Sequence, residues 1–355
     1  MKNDFDNSEQ MQAQINEAIA SKHALVIRGG RSKDFLGRKV GCTHLNTSAH
    51  RGVTKYEPGE LILTARSGTP LQEIKSLLAE QGQMLAFEPP SFGAKATLGG
   101  TIACGLSGPR RPYAGSARDF VLGTKIINGK GEILKFGGEV MKNVAGYDVS
   151  RLMTGAYGTL GLLLEISLKI MPSPEQEATL VFDYSAEQAI KYVNQLASQP
   201  LPLSAACHFN NKLYLRLSGL TVSVNAACQE LGGEVLSDAE SFWEKFREQQ
   251  LEQFQTDKSF WRISVPPTTA PLPLSGNTII DWGGGLRWLA SDEAPQTVRN
   301  TAQKAGGHAT LFKNHDGFGE VFQPLEPAIK QLHINLKRAF DPHDILNPGR
   351  MYLDI

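Results

Sequence analysis

The sequence predicts an α+β protein in two parts: a glycine-rich half ending near residue 172 and an ordinary α+β half after it. Three observations predict this. Of 35 glycines, 23 lie in residues 1–172. Those residues carry 21 Lys+Arg against 15 Asp+Glu, and 173–355 carry 15 against 21, so a net charge of zero hides a basic half and an acidic half. Pro172 and Pro174 mark the change of texture between them. With 41% apolar and 20% charged residues the chain reads as packed rather than disordered. No G-X-Y period exists, which excludes collagen. No block of five or six like charges exists, which argues against a nucleic-acid tail. The basic half therefore suits an anionic cofactor or an acidic partner.

The elements follow in order. Residues 8–20 form a helix, with Ser8 as N-cap and Met11, Ile15, Ala18 and Ile19 on one face. Residues 24–27 are a short buried strand running into Arg28-Gly29-Gly30-Arg31-Ser32. Strands at 53–57 and 61–66 flank the turn Pro58-Gly59-Glu60. A helix spans 70–81, with Pro70 at its first turn and Gly82 closing it. Residues 88–118 read as a long irregular segment, and loops of that length are usually functional. A hairpin joins 120–128 to 132–136 through Asn128-Gly129-Lys130-Gly131. A strand leaves the glycine turn within 157–170. Beyond Pro174, strands are expected near 178–183, 204–209, 212–217, 261–265 and 277–282. Helices are expected near 186–198, 221–231, 242–254, 294–305 and 325–339.

The N-terminus lacks an apolar h-region and no run of about 18 apolar residues exists, so the chain is expected in the cytoplasm, with any inner-membrane association made through partners. The four cysteines, Cys42, Cys104, Cys207 and Cys228, form no C-x-x-C pair. Neither an iron–sulfur nor a zinc site is expected, and no metal site is assigned.

Two phosphate motifs can be tested directly. G-x-x-x-x-G-K-[ST] is absent, and Ile27–Ser32 has the preceding strand but not the G-x-G-x-x-G spacing. The logic of anion binding persists, because adjacent glycines let backbone N–H groups approach and converge on a phosphate. Taken alone, the loop reads equally as an ordinary glycine turn. Three further small-residue segments follow, at 97–103, 115–119 and 155–161, and 15 glycines lie from Gly93 to Gly161. So many turns suggest several loops converging on one extended ligand.

Six motifs in order make a resemblance. They are the R-G-G-G-[ST]-like loop Arg28-Gly29-Gly30-Arg31-Ser32 and the proline loop Glu88-Pro89-Pro90-Ser91. There follow a T-x-G-G-x-x-A segment at 97–103 and a G-x-x-R-D-x-V-L-G segment at 115–123. The last two are Ala145-Gly146-Tyr147-Asp148 with the glycine run 155–161, and the D-P…N-P-G tail at 341–349. The chain resembles the FAD-binding domain of the vanillyl-alcohol-oxidase type, the PCMH flavoprotein family. Within it the chain is most similar to the FAD-binding subunits of bacterial glycolate oxidases, judged also by Gly-Pro-Arg-Arg-Pro-Tyr at 108–113.

The resemblance implies a two-subdomain FAD-binding domain over 1–172, an α+β cap or substrate domain over 173–339, and a tail, 340–355, packing back on the FAD domain. It implies FAD contacts at Arg28, Gly29, Gly30, Arg31, Ser32, Pro90, Ser91, Thr97, Gly99, Gly100, Thr101, Gly115, Ser116, Arg118, Asp119, Gly146, Tyr147, Gly158, Gly161, Leu162 and Asn347. The basic side chains Arg28, Arg31 and Arg118 suit a pyrophosphate. Arg31 replaces the third glycine of the first loop, and no His lies in 28–33, so FAD is expected to be non-covalent.

The second half carries no equally specific motif. The family's H-x-G-D-G-N run is not matched at 306–317. His308 has the titration range of a base, and it also reads as a structural histidine. Arg287, between Trp282 and Trp288, reads equally as a carboxylate clamp and as part of a surface hairpin. The function implied is oxidation of glycolate, or a similar 2-hydroxy acid, with electrons leaving through an iron–sulfur subunit beside a second flavoprotein subunit. A self-sufficient FAD-dependent dehydrogenase for an acid such as D-lactate, or a non-catalytic flavin-binding assembly subunit, stays open on the residues alone.

Overall fold

The computed structural model describes residues 4–138, 148–314, 316 and 319–355. They group into two compact units, one of 1–106, 116–172 and 317–355, the other of 107–115 and 173–316. The grouping thus assigns 107–115 to the second unit, where Arg110 binds Glu177 and Ser218, and the Trp282 indole donates to Gly108 O. It assigns 317–339 to the first unit, where Lys337 donates to Thr159 O and Leu346 O.

Besides a two-residue pairing of Gln83–Met84 with Met171–Pro172, the first unit contains two further sheets. A small parallel pair joins Leu25–Arg28 to Thr43–Asn46, a strand absent from the sequence reading because it is short and mostly exposed. The tail adds a parallel bridge from Leu346 to Leu25. The larger sheet is antiparallel, five strands in the order Val53–Glu57, Ile62–Arg66, Leu162–Lys169, Val121–Ile127, Ile133–Gly137. The helix Ser8–Ser21 presents Met11, Ile15 and Ala18 to a core shared by both sheets, with Leu25, Leu45, Ile127, Leu164 and Leu346. Ser8 is not its N-cap: that place falls to Asn7, and the Ser8 hydroxyl and amide both bond Asp6. Nor is 88–118 wholly irregular. Short helices Leu98–Cys104, Arg111–Ala114 and Ala117–Phe120 punctuate it, too short for a 3.6-residue apolar period to register.

The second unit is one eight-stranded antiparallel sheet. Paired residues of an antiparallel ladder share a face. Leu180, Leu215 and Ala206 share one face, and the register carries that face through His208, Ile280, Arg287 and Ile263 to Ala309. The helices Ala186–Leu196, Thr221–Leu231 and Pro295–Lys304 cover it. Ala239–Arg247 packs on the opposite face, its Trp243 indole donating to Thr179 and its ring lying under Arg216. Leu286–Ser291 and His308–Lys313 are strands that the sequence reading allowed only as a hairpin at Arg287 and a strand at His308; the glycine-flanked, mixed-polarity sequence hid their extent.

A charged clasp holds the start of the chain. Arg66 binds Asp4 and Asp6, Asn7 N donates to His50 Nδ1 at 3.0 Å, and His50 Nε2 donates to Leu164 O at 3.1 Å. Burial, then Arg66, lowers the His50 pKa below 6.5, which favours the neutral ring this geometry needs. Burial opposes ionisation of Asp6, but Ser8, Arg66 and His50 outweigh it and bring its pKa down to about 2 from 3.8. Both folded pKa values lie below the ordinary ones, so both groups stabilise at high pH and lose that contribution on acidification. The His50 part is complete above about 6.5 and fades as pH falls through the folded value. Hydrogen exchange should accordingly show the Asn7 amide losing protection, relative to its intrinsic rate, as pH drops below about 6.5. Constant protection from pH 7 to 5 would contradict this.

No helix among the described residues is long and apolar enough to cross a membrane.

Candidate functional site

The first unit carries two adjoining clefts. One, of about 80 Å³, is lined by the loop 28–34 with Thr97, Gly100, Cys104, Tyr157, Asn347 and Arg350. The other, of about 60 Å³, is lined by Thr47, Ser67, Gly99, Gly158, Gly161 and Leu163. They share Ile27, Gly29, Gly100, Ala103, Tyr157 and Asn347, so together they form one elongated channel.

Glycine builds the channel walls by permitting close backbone approach. A Cβ on Gly30 would lie 1.4 Å from Lys95 O, and one on Gly29 would lie 2.4 Å from Thr97 Oγ1. Thr97 caps the helix Leu98–Cys104 by accepting from Gly100 N at 3.3 Å. Arg31, standing where the family motif has its third glycine, adopts a left-handed φ of +63°. The loop therefore keeps the glycine-type turn while gaining a cation. The tail closes the channel from the other side. Asn347 accepts from Ile27 N at 2.7 Å and donates to Tyr157 O at 2.6 Å, joining the first strand to the 155–161 turn.

The first cleft is cationic. Arg28, Arg31, Lys33 and Arg350 line it with a single carboxylate, Asp34, which pairs with Arg31 at 3.0 Å and with Arg28 at 3.5 Å. Arg350 donates to the carbonyls of Arg38 (2.6 Å) and Asp34 (3.2 Å). Burial lowers its pKa; Cys104, Asp34 and Tyr157 partly offset this, and Arg28 adds the smallest lowering. A bound anion favours the charged form of both guanidinium groups. Cys104 in the same wall has its thiol pushed up to about 11 by burial, which makes it unreactive. The second cleft is different: no charged side chain lines it.

Of the sequence-predicted FAD residues, the structure brings Arg28, Gly29, Gly30, Arg31, Ser32, Thr97, Gly99, Gly100, Gly158, Gly161 and Asn347 to this channel. Pro90, Ser91, Thr101, Gly115, Ser116, Arg118, Asp119 and Leu162 do not line it. Ser91 instead accepts from Lys33 (3.1 Å, backbone) and Lys75 (3.1 Å, hydroxyl), which ties the proline loop to the first glycine loop. Ser116 and Asp119 form a capping box, and Arg118 is exposed. Gly146 and Tyr147 lie outside the described residues, as does His315. Sequence reasoning counted Lys33 among the charges of the first loop without making it an FAD contact, and missed Tyr157, Arg350, Thr47 and Ser67. Lys33 and Arg350 directly follow recognised motifs, so their charge was a usable signal; Thr47 and Ser67 carry none.

In the second unit, Arg287 is neither an open carboxylate clamp nor part of a surface hairpin. Its register neighbours Ile263 and Ile280 lie on the helix-covered face, leaving it 1% exposed. Its guanidinium donates to Gly284 O and, at 2.9 Å, to Thr269 O, and burial lowers its pKa to about 10. His308 opens its strand as an exposed residue opposite Ser264. Desolvation of the ring, then Arg262, lowers its pKa, which leaves a neutral imidazole able to accept a proton. Arg111 and Arg262 lie over the Trp282 ring, 4.2 and 5.0 Å from its centroid. Among the described residues no cluster of three metal-ligating side chains occurs.

Known proteins can now be compared. Residues 5–137 match the family model described as an FAD binding domain. The chain is 49% identical over 355 residues to the glycolate oxidase subunit GlcE of Escherichia coli K12, covering all of both chains. It is 36% identical to the glycolate oxidase subunit GlcD of Bacillus subtilis 168, covering 82% of this chain and 75% of that one. A solved structure of alkyldihydroxyacetonephosphate synthase superposes with a TM-score of 0.67 over 97% of this chain and 76% of that one; at 15% identity this likeness concerns the fold alone. A glycine-walled cationic channel inside an FAD-binding domain, with full-length identity of this order, means that the chain belongs to the PCMH-type flavoproteins, in the family of the glycolate oxidase subunit GlcE.

Proposed function

We propose that this chain is the FAD-binding subunit of a glycolate oxidase, holding FAD non-covalently while glycolate is oxidised to glyoxylate and electrons pass to an iron–sulfur subunit beside a second flavoprotein subunit. The observation that carries the reading is the surplus of cations in the first cleft: four against one carboxylate. A pyrophosphate brings two negative charges, and guanidinium and backbone N–H groups converging on it give the charge-assisted contacts it needs. Arg28, Arg31, Lys33 and Arg350 would hold it, with Gly29 and Gly30 supplying close backbone. The loop 28–33 holds no histidine for a covalent link. Bound FAD supplies the two-electron acceptor that oxidation of an alcohol carbon requires. Four cysteines without close spacing give this chain no iron–sulfur ligand set, which favours a partner as the next electron carrier.

The full chain, purified, should carry a flavin absorption spectrum, and acid precipitation should release that flavin into the supernatant. In the assembled complex, anaerobic glycolate should bleach it. A colourless chain sinks the FAD assignment, flavin retained in the pellet sinks the non-covalent one, and an unbleached complex sinks the substrate.

A further inference from the structure

The helix Pro327–Phe340 reverses the usual pattern of burial. Its one buried side chain is Lys337, and all its apolar side chains stay at least partly open to solvent. It is anchored to the first unit through four residues. Lys330 pairs with Asp354, the His333 ring meets Tyr352, Lys337 pairs with Asp341, and the Phe340 ring meets Phe136. Ile329, Leu332, Leu336 and Ala339 each precede one of these anchors, so they form a second stripe rotated about 100° around the helix. Ile329 is 48% exposed and Leu332 53%. Apolar residues at this 3-4-3 spacing are the face a helix turns toward a packing partner, and here the chain itself leaves that face open.

A cavity of about 560 Å³ adjoins the helix at Lys330, with Phe322, Leu325, Tyr352 and the 78% exposed Leu353 in its wall. Its charges balance, Arg38 and Lys330 against Glu320 and Asp354. An apolar centre within a rim of both signs is the anatomy of a protein interface, and such a cavity takes an anchoring apolar side chain. An anionic lipid surface calls for clustered cations instead, and two of the helix's three are held in ion pairs.

The position of this surface selects its occupant. Phe322 packs on Tyr352 at 5.8 Å between ring centroids and on Tyr157 at 5.4 Å, and Tyr157 lines the cationic cleft. Arg350 lines that cleft, and the next residue, Met351, lines the cavity. Packed aromatic rings therefore join the docking surface to the cofactor cleft. Electron tunnelling falls steeply with distance, so a subunit that accepts electrons from bound flavin gains by docking here. A second copy of this chain, whose cysteines supply no iron–sulfur ligand set, does not.

We propose that the stripe Ile329–Leu332–Leu336 and the cavity beside it dock the iron–sulfur subunit, which seats an apolar-faced helix on them. The inference rests on the subunit reading above. Its test is Leu332→Glu and, separately, Leu353→Glu, each in a tagged full chain co-expressed with the other subunits. Seating a carboxylate in an apolar interface without a partner is costly. The iron recovered with each tagged variant should fall about tenfold or more. Flavin content and the melting temperature of the variant chain alone should match wild type, because both positions are exposed. Val222→Glu, at a position 81% exposed in the second unit, should retain the iron. Full iron recovery with both variants would overturn the proposal. Loss of the second flavoprotein subunit with the iron retained would overturn it in favour of that partner. A wild-type chain that is dimeric alone and made monomeric by Leu332→Glu would overturn it in favour of a second copy. Wild-type binding to phosphatidylglycerol vesicles that Leu332→Glu abolishes would overturn it in favour of a membrane. A wild-type chain that recovers no iron from the co-expressed subunits is a separate outcome, and it removes the subunit reading together with this one.

Discussion

Gly30→Ala should yield a protein that binds little or no flavin. The added methyl would lie 1.4 Å from Lys95 O and 2.5 Å from Lys95 C. Both atoms are backbone, so no side-chain rotation relieves the overlap. The loop 28–33 must separate from the segment that leads into Thr97, and those two stretches are facing walls of the cationic cleft. The cleft then loses the spacing that lets Arg28, Arg31 and Lys33 converge with Arg350. Overpacking of this kind costs about 1–3 kcal/mol and more when backbone must move, so the folded state should weaken by roughly 3 kcal/mol. The flavin content on purification and the urea midpoint report the two effects. Gly41→Ala is the control: a Cβ there meets nothing within 4 Å, and both quantities should match wild type. A Gly30→Ala protein with full flavin and a wild-type midpoint would show that the two walls are not held as described.

Asp341→Ala should be the most destabilising single change in the tail. The Asp341 side chain is fully buried and pairs with Lys337 Nζ at 2.8 Å, itself 6% exposed. The same carboxylate accepts from Leu346 N at 2.8 Å and Ile345 N at 3.2 Å. Removing it leaves the buried ammonium with only the exposed Asp344 carboxylate at 3.3 Å as counter-charge, and leaves two amides without an acceptor. Breaking one side of such a pair costs about 3–5 kcal/mol. The double variant Lys337→Met/Asp341→Ala removes the stranded charge and should lose less than Asp341→Ala alone, though the two amides still lack a partner. A double variant as weak as the single would show that the ion pair is not the source. The effect should reach the cofactor as well, because Leu346 and Asn347 join the first strand immediately after the segment Asp341 pins. The hairpin glycine Gly129 belongs to the same arrangement. A Cβ there would lie 2.1 Å from Asp341 Oδ1, so this turn needs glycine for packing as well as for its bend.

Much of this was legible in residue order. Glycines at 29, 30, 99, 100, 158 and 161 announce themselves by residue type and spacing, although what they approach, such as Lys95 O for Gly30, lies far along the chain. The strands 53–57 and 121–127 and the helix Thr221–Leu231 were readable for a similar reason: each carries its own periodicity or turn chemistry. The short helices within 98–120 were not, since four to seven residues cannot display a helical period.

Arg287 marks where the sequence stops. Flanked by tryptophans it looks like a clamp or a hairpin residue, and which it is depends on the face of the sheet it occupies. That face is set by cross-strand register to Ile263 and Ile280, residues more than a turn away in sequence. By itself the sequence determined the glycine-walled channel, the basic character of the half that holds it, and the return of the tail through Asn347. Tertiary structure alone decided which cations share one cleft and which arginine is spent on carbonyls. Conformational constraints travel with the residue that bears them, whereas burial and hydrogen-bond satisfaction are properties of a place, and a place exists only once distant segments have met.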